Sequence, residues 1–174
     1  MKTISIAVLA LIFLSACHQI KLDKEEAAAI IRKEKGYPKV YDYGVNMTDP
    51  ESARKLLNAG LENAGIVTID RTQKLKDIGK PIVHFTDKAK PYLLHIDETY
   101  NNVEVVKLAD EDLGEITGIK LLENKKTATV EYTVVYKNIT PFSKLIQRDL
   151  TKPQTEQATL SYFDTGWKLD RNMH

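Results

Sequence analysis

The stretch Thr127–Lys137 alternates so regularly that it constrains the fold more than any other part of the chain. Ala128, Val130, Tyr132, Val134 and Tyr136 fall on one face; Thr129, Glu131, Thr133 and Lys137 fall on the other, with Val135 the exception on the polar side. A period of two sends successive side chains to opposite faces, so the run predicts a long, half-buried β-strand. Further strands are expected at Val103–Leu108 and Glu115–Leu122, separated by the acidic stretch Asp110–Gly114. Glu123–Lys126 reads as a turn, and Asn138–Leu150 as an irregular segment carrying Pro141. A last hairpin pairs Gln157–Phe163 with Trp167–Asp170 through Asp164, Thr165 and Gly166. Residues 97–174 are thus expected to form an antiparallel β-meander.

The preceding part mixes helix and strand. Asp23 with Glu26 makes a capping-box-like start to a helix over Lys24–Lys35, and Gly36 followed by Pro38 stops it. Tyr37, Tyr41 and Tyr43 crowd a short strand ending at Val45; they read as half-buried strand residues with phenols reaching water, in preference to a ligand-stacking wall. Asp49 and Pro50 suit the N-cap and first position of a second helix. Its apolar stripe runs through Ala53, Leu56, Leu57, Leu61 and Ala64 to a stop at Gly65. Strands at Ile66–Ile69 and Ile82–Phe85 follow, joined by a basic turn. The run Leu56–Ile69, the hairpin and Phe85–Lys90 resemble a winged-helix element over about Asp23–Leu94, which implies a fold and not DNA binding. The expected class is α+β: a small helical and hairpin unit at 23–96 packed on the β-meander.

The amino terminus follows different rules. Met1, Lys2 and Thr3 precede an apolar run from Ile4 to Leu14. As a helix this run spans about 17 Å, too short for a hydrocarbon core of about 30 Å, and it reads as the core of an export signal. The chain holds a single cysteine, Cys17, directly after Leu14, Ser15 and Ala16. These four residues resemble the lipobox of bacterial lipoproteins. The resemblance implies that residues 1–16 are removed and that Cys17 becomes the lipidated first residue, with 17–22 as a short tether. His18, where aspartate retains such proteins in the inner membrane, implies sorting to the periplasmic face of the outer membrane in a Gram-negative cell. One myristoyl chain binds marginally, at about 0.8 kcal/mol per buried CH₂, whereas several longer chains hold a protein permanently.

Charge and motifs exclude more than they assign. Lys and Arg number 25 against 24 Asp and Glu, a formal net charge of +1. Loss of Lys2 with the signal balances the two, which leaves no electrostatic footprint for nucleic acid. His84 and His95 lack the short spacing of a zinc pair and read as structural histidines. Asp110, Glu111, Asp112 and Glu115 lack the alternation of a calcium loop and read as a solvated turn. No nucleophile elbow and no phosphate-cradling glycine loop occurs, and no cofactor is expected.

Two readings of function remain open from the sequence. The first is a non-catalytic envelope lipoprotein that meets the bilayer through Cys17 and binds another envelope protein. Its suggested surface is Asn138–Leu150, where Ile139, Phe142, Leu145 and Ile146 are apolar. The second is a hydrolase or small-ligand-binding lipoprotein with its site between the two halves, drawing on the tyrosines and His84 or His95.

Overall fold

The computed structural model describes residues 21–170; the expected signal at 1–16, Cys17 and the tether through Ile20 lie outside the described residues. The chain opens with α1 (Lys24–Lys35), capped by Asp23, whose carboxylate accepts from Glu26 N at 2.8 Å. β1 (Lys39–Asn46) leads to α2 (Pro50–Asn58), which begins on Asp49 and Pro50 as the capping residues require. α2 is shorter than its apolar stripe suggests. Gly60 takes a left-handed φ of 71° and its amide bonds back to Leu57 O, so the chain turns here while Leu61 still reaches the core.

β2 (Val67–Ile69) and β3 (Val83–Phe85) form a two-stranded hairpin. β4 (Leu93–Ile96), β5 (Val103–Leu121), β6 (Thr127–Lys137), β7 (Gln154–Phe163) and β8 (Gly166–Leu169) follow. The large sheet is antiparallel in the order β1-β5-β6-β7-β8, with β4 also paired to β5.

This architecture overturns the expected α+β arrangement of a helical and hairpin unit packed on a separate meander. The fold is mostly β, and among the described residues helix is confined to α1, α2 and short 3-10 turns. β1 pairs with β5 along Lys39–Asn46, and β4 pairs with the same strand at Val106, Val105 and Glu104. The first half therefore contributes strands to the same sheet as the second.

The acidic turn expected at Asp110–Gly114 does not exist. β5 runs straight through it, because each carboxylate meets a different partner. Asp110 binds Lys107 at 2.6 Å and accepts from Asn138 at 2.7 Å. Glu111 lies 3.7 Å from Lys39, and Asp112 accepts from Arg32 at 2.9 Å. Alternation along a strand sends neighbouring carboxylates to opposite faces, so a run that looks self-repelling in sequence is dispersed in space. Gly114 is required at one crossing: a Cβ there would collide with Thr133 Oγ1, which already accepts from Glu115 N.

Two apolar clusters flank β5. α2, the β2–β3 hairpin and Phe142 pack on Val106, Leu108 and Ala109. α1, through Ala27 and Ile31, packs on Leu113 and Ile116 together with the inner faces of β6, β7 and Trp167 of β8.

Gly114→Ala is expected to lose about 1–3 kcal/mol through overpacking against Thr133. Gly118→Ala, whose nearest neighbour would be 3.8 Å away, is expected to lose less. Urea unfolding of the two variants checks the ordering.

Candidate functional site

Two of the tyrosines, Tyr37 and Tyr132, meet carboxylates. Tyr37 stands between α1 and β1 and is buried; its hydroxyl donates to Glu111 Oε1 of β5 at 3.5 Å. Tyr132 of β6 is fully buried and its hydroxyl donates to Glu156 Oε2 of β7 at 3.0 Å. Lys39 Nζ lies 5.1 Å from the Tyr37 ring centroid as well as beside Glu111. Tyr136 extends the cluster, accepting from Arg148 at 3.3 Å and packing on Tyr41 at 5.6 Å between ring centroids. Tyr43 points elsewhere, toward Lys55 of α2.

Burial and the neighbouring Tyr132, Glu111 and Glu156 push the Tyr37 phenol well above its ordinary range. Burial and Glu156 do the same to Tyr132. These groups hold their protons at neutral pH and act as donors. These contacts tie the α1–β1 connection to β5 and β6 to β7, and the Tyr37, Tyr132 and Tyr136 hydroxyls each have a partner. No hydrogen-bonded residue among them is Tyr43, His84 or His95.

The histidines sit apart in the strand pattern. His84 of β3 lies 3.1 Å from Asp70. His95 of β4 is opposite Val105, next to the buried Glu104, whose carboxyl is raised by desolvation and partly drawn back by His95. Among the described residues no group of three or more His, Cys, Asp or Glu could hold a metal ion. Asp110, Glu111 and Asp112 are split among the partners given above.

The segment suggested as a surface folds largely inward. Phe142 and Leu150 are buried, and Leu145 and Ile146 pack against the first cluster; Ile139 alone of the suggested apolar set stays exposed, at 39%. A turn capped by Thr140 drives this: its hydroxyl donates to Lys107 O and accepts from Phe142 N. The result is a groove of about 420 Å³ between α2 and Lys144–Gln147, lined by Glu51, Arg54, Lys55, Asn58 and Lys144. Sequence reasoning missed α2 as its second wall, since nothing local in 50–58 signals a partner so distant in the chain.

A second groove, of about 560 Å³, lies between α1 and β8, with Ile30, Lys33, Thr165, Trp167 and Lys168 on its walls. It adjoins the first described residues: Trp167 Nε1 donates to the Lys21 carbonyl at 3.3 Å, and Leu22 is buried. Among the described residues no helix is long and apolar enough to cross a membrane.

A Tyr37→Phe, Tyr132→Phe double variant tests the network. Phenols whose folded pKa is raised give stability that is complete below the unfolded value of about 10 and is lost as pH rises beyond it. The double variant is therefore expected to show a shallower loss of stability above about pH 10 than the parent. Urea midpoints measured across that range decide it; an unchanged slope contradicts the assignment. Comparison with protein-family models, with curated proteins and with solved structures finds none that matches the chain.

Proposed function

We propose that the chain is a membrane-anchored lipoprotein of the bacterial envelope whose body binds another envelope protein and catalyses no reaction. One observation carries the anchor. The lone Cys17 stands at the lipobox position, and Lys21, four positions on, is already fastened to Trp167. The motif is therefore followed almost at once by packed protein, as suits a body held close to a bilayer. His18 favours the periplasmic face of the outer membrane.

The binding role draws on the α2 groove. Arg54, Lys55 and Lys144 make it basic, relieved by Glu51, while Leu145 and Ile146 give it an apolar floor. Mixed apolar and cationic grooves suit an acidic, partly apolar segment of a partner. The buried tyrosine network favours a structural role for the residues that a catalytic reading most needs, since its hydroxyls already have carboxylate partners.

Cys17→Ser is expected to release the protein from the membrane fraction, because no acyl chain is then attached. Fractionation of cells expressing the parent and the variant reads this directly. A variant that stays with the membrane as fully as the parent contradicts the anchor. For the groove, a photo-crosslinker at Lys55 or Lys144 in intact cells is expected to trap one discrete envelope protein that a crosslinker at Glu98, exposed on the β4–β5 loop outside the groove, does not. Equal or absent trapping at all positions removes the groove from the proposal.

A further inference from the structure

The tether fixes which end of the body faces the bilayer. Only His18, Gln19 and Ile20 separate Cys17 from Lys21. Even fully stretched, this backbone keeps the two α-carbons within about 14 Å. Lys21 in turn is held by the Trp167 indole, and Trp167 pairs with Tyr162 across the β7–β8 hairpin. If Cys17 is acylated, the reading on which this inference rests, the membrane surface lies within that short reach of Lys21.

The turns beside Trp167 have the composition of an interfacial surface. The β7–β8 turn leaves Phe163 54% exposed, and the start of the β5–β6 turn leaves Leu121 and Leu122 exposed at 41% and 43%. The two turns are joined, since Tyr162 N donates to Lys126 O at 2.7 Å. Lys120, Lys125, Lys126 and Lys168 are exposed among these apolar residues, with Glu123 and Asp164 as the acidic members of the turns. Lys168 Nζ lies 5.8 Å from the Phe163 ring centroid, so cation and ring occupy one spot. Apolar side chains beside lysines enter the headgroup boundary while the ammonium groups meet lipid phosphates.

We propose that the β5–β6 and β7–β8 turns form a membrane-contact face that lies on an anionic bilayer and sets the orientation of the anchored body. Composition alone does not single them out. The loop joining β2 to β3 exposes Leu75 and Ile78, at 86% and 68%, amid Lys74, Lys76 and Lys80. That loop joins two strands that pack in the cluster on the other half of β5, away from the Lys21–Trp167 contact. Position relative to Lys21 separates the two surfaces, and it favours the turns beside Trp167.

The test uses the full lipidated protein reconstituted in vesicles of phosphatidylethanolamine and phosphatidylglycerol. Single nitroxide labels are placed through Leu122→Cys, Phe163→Cys and Ile78→Cys; Cys17, blocked by its thioether, does not react. Collision rates with oxygen and with a water-soluble nickel chelate report lipid against water. The oxygen-to-nickel ratio is expected to rise severalfold on reconstitution at 122 and 163 and to stay at its solution value at 78. Adding Lys125→Gln and Lys126→Gln is expected to weaken the contact by roughly fivefold per lysine. Labels at 122 and 163 that remain wet in a protein that floats with the vesicles overturn the contact face and leave the anchor standing. A lipid-exposed label at 78 with a wet one at 163 overturns it as well. A protein that does not float with the vesicles overturns the anchor, and the contact face with it.

Discussion

Hydrogen bonding along both edges of β5 is the constraint on which the rest of the structure depends. One edge takes β1 from Val103 to Glu111; the other takes β4 at 104–106 and then β6 from Asp110 to Leu121. Backbone groups in a packed interior must be paired, and a single strand that pairs with three others cannot move without unpairing all of them. The same strand supplies side chains to both apolar clusters, through Val106 and Leu108 on one and Leu113 and Ile116 on the other. Breaking β5 at Gly114 thus disturbs two cores at once, although neither core is large.

Local rules made much of this chain legible. β6 occupies Thr127–Lys137 as its alternation requires, and α1 occupies Lys24–Lys35 between a carboxylate cap and Gly36 at φ 71°. Both signals are contained in neighbouring residues. β5 was not legible, because Asp110, Glu111 and Asp112 look like mutually repelling charges until Lys39 of β1 and Arg32 of α1 arrive from elsewhere in the chain, beside Lys107 on β5 itself. With β5 read as two strands, the attachment of β1 and β4 to it had no place, and the first half looked like a unit of its own. The inward fold of Phe142 was likewise hidden, since it rests on Thr140 reaching back to Lys107 O.

The candidate sites divide in the same way. Tyr37, Tyr41 and Tyr43 stand out in the sequence by their crowding, yet the residues that explain the first two, Glu111 and Tyr136, lie on strands far along the chain. Buried phenols that keep their protons and donate to carboxylates make a polar fastening between layers, and a satisfied network of this kind fixes a unique packing. The surface features lie elsewhere: a basic groove beside α2, and exposed lysines with Phe163, Leu121 and Leu122 at the two turns near Trp167.

Intact mass measurement of the native polypeptide, with fragmentation of its first peptide, bears most directly on the anchored reading. A first residue at position 17 carrying acyl chains on its sulfur is the expected result. A chain that begins elsewhere, or a bare thiol at that position, contradicts it.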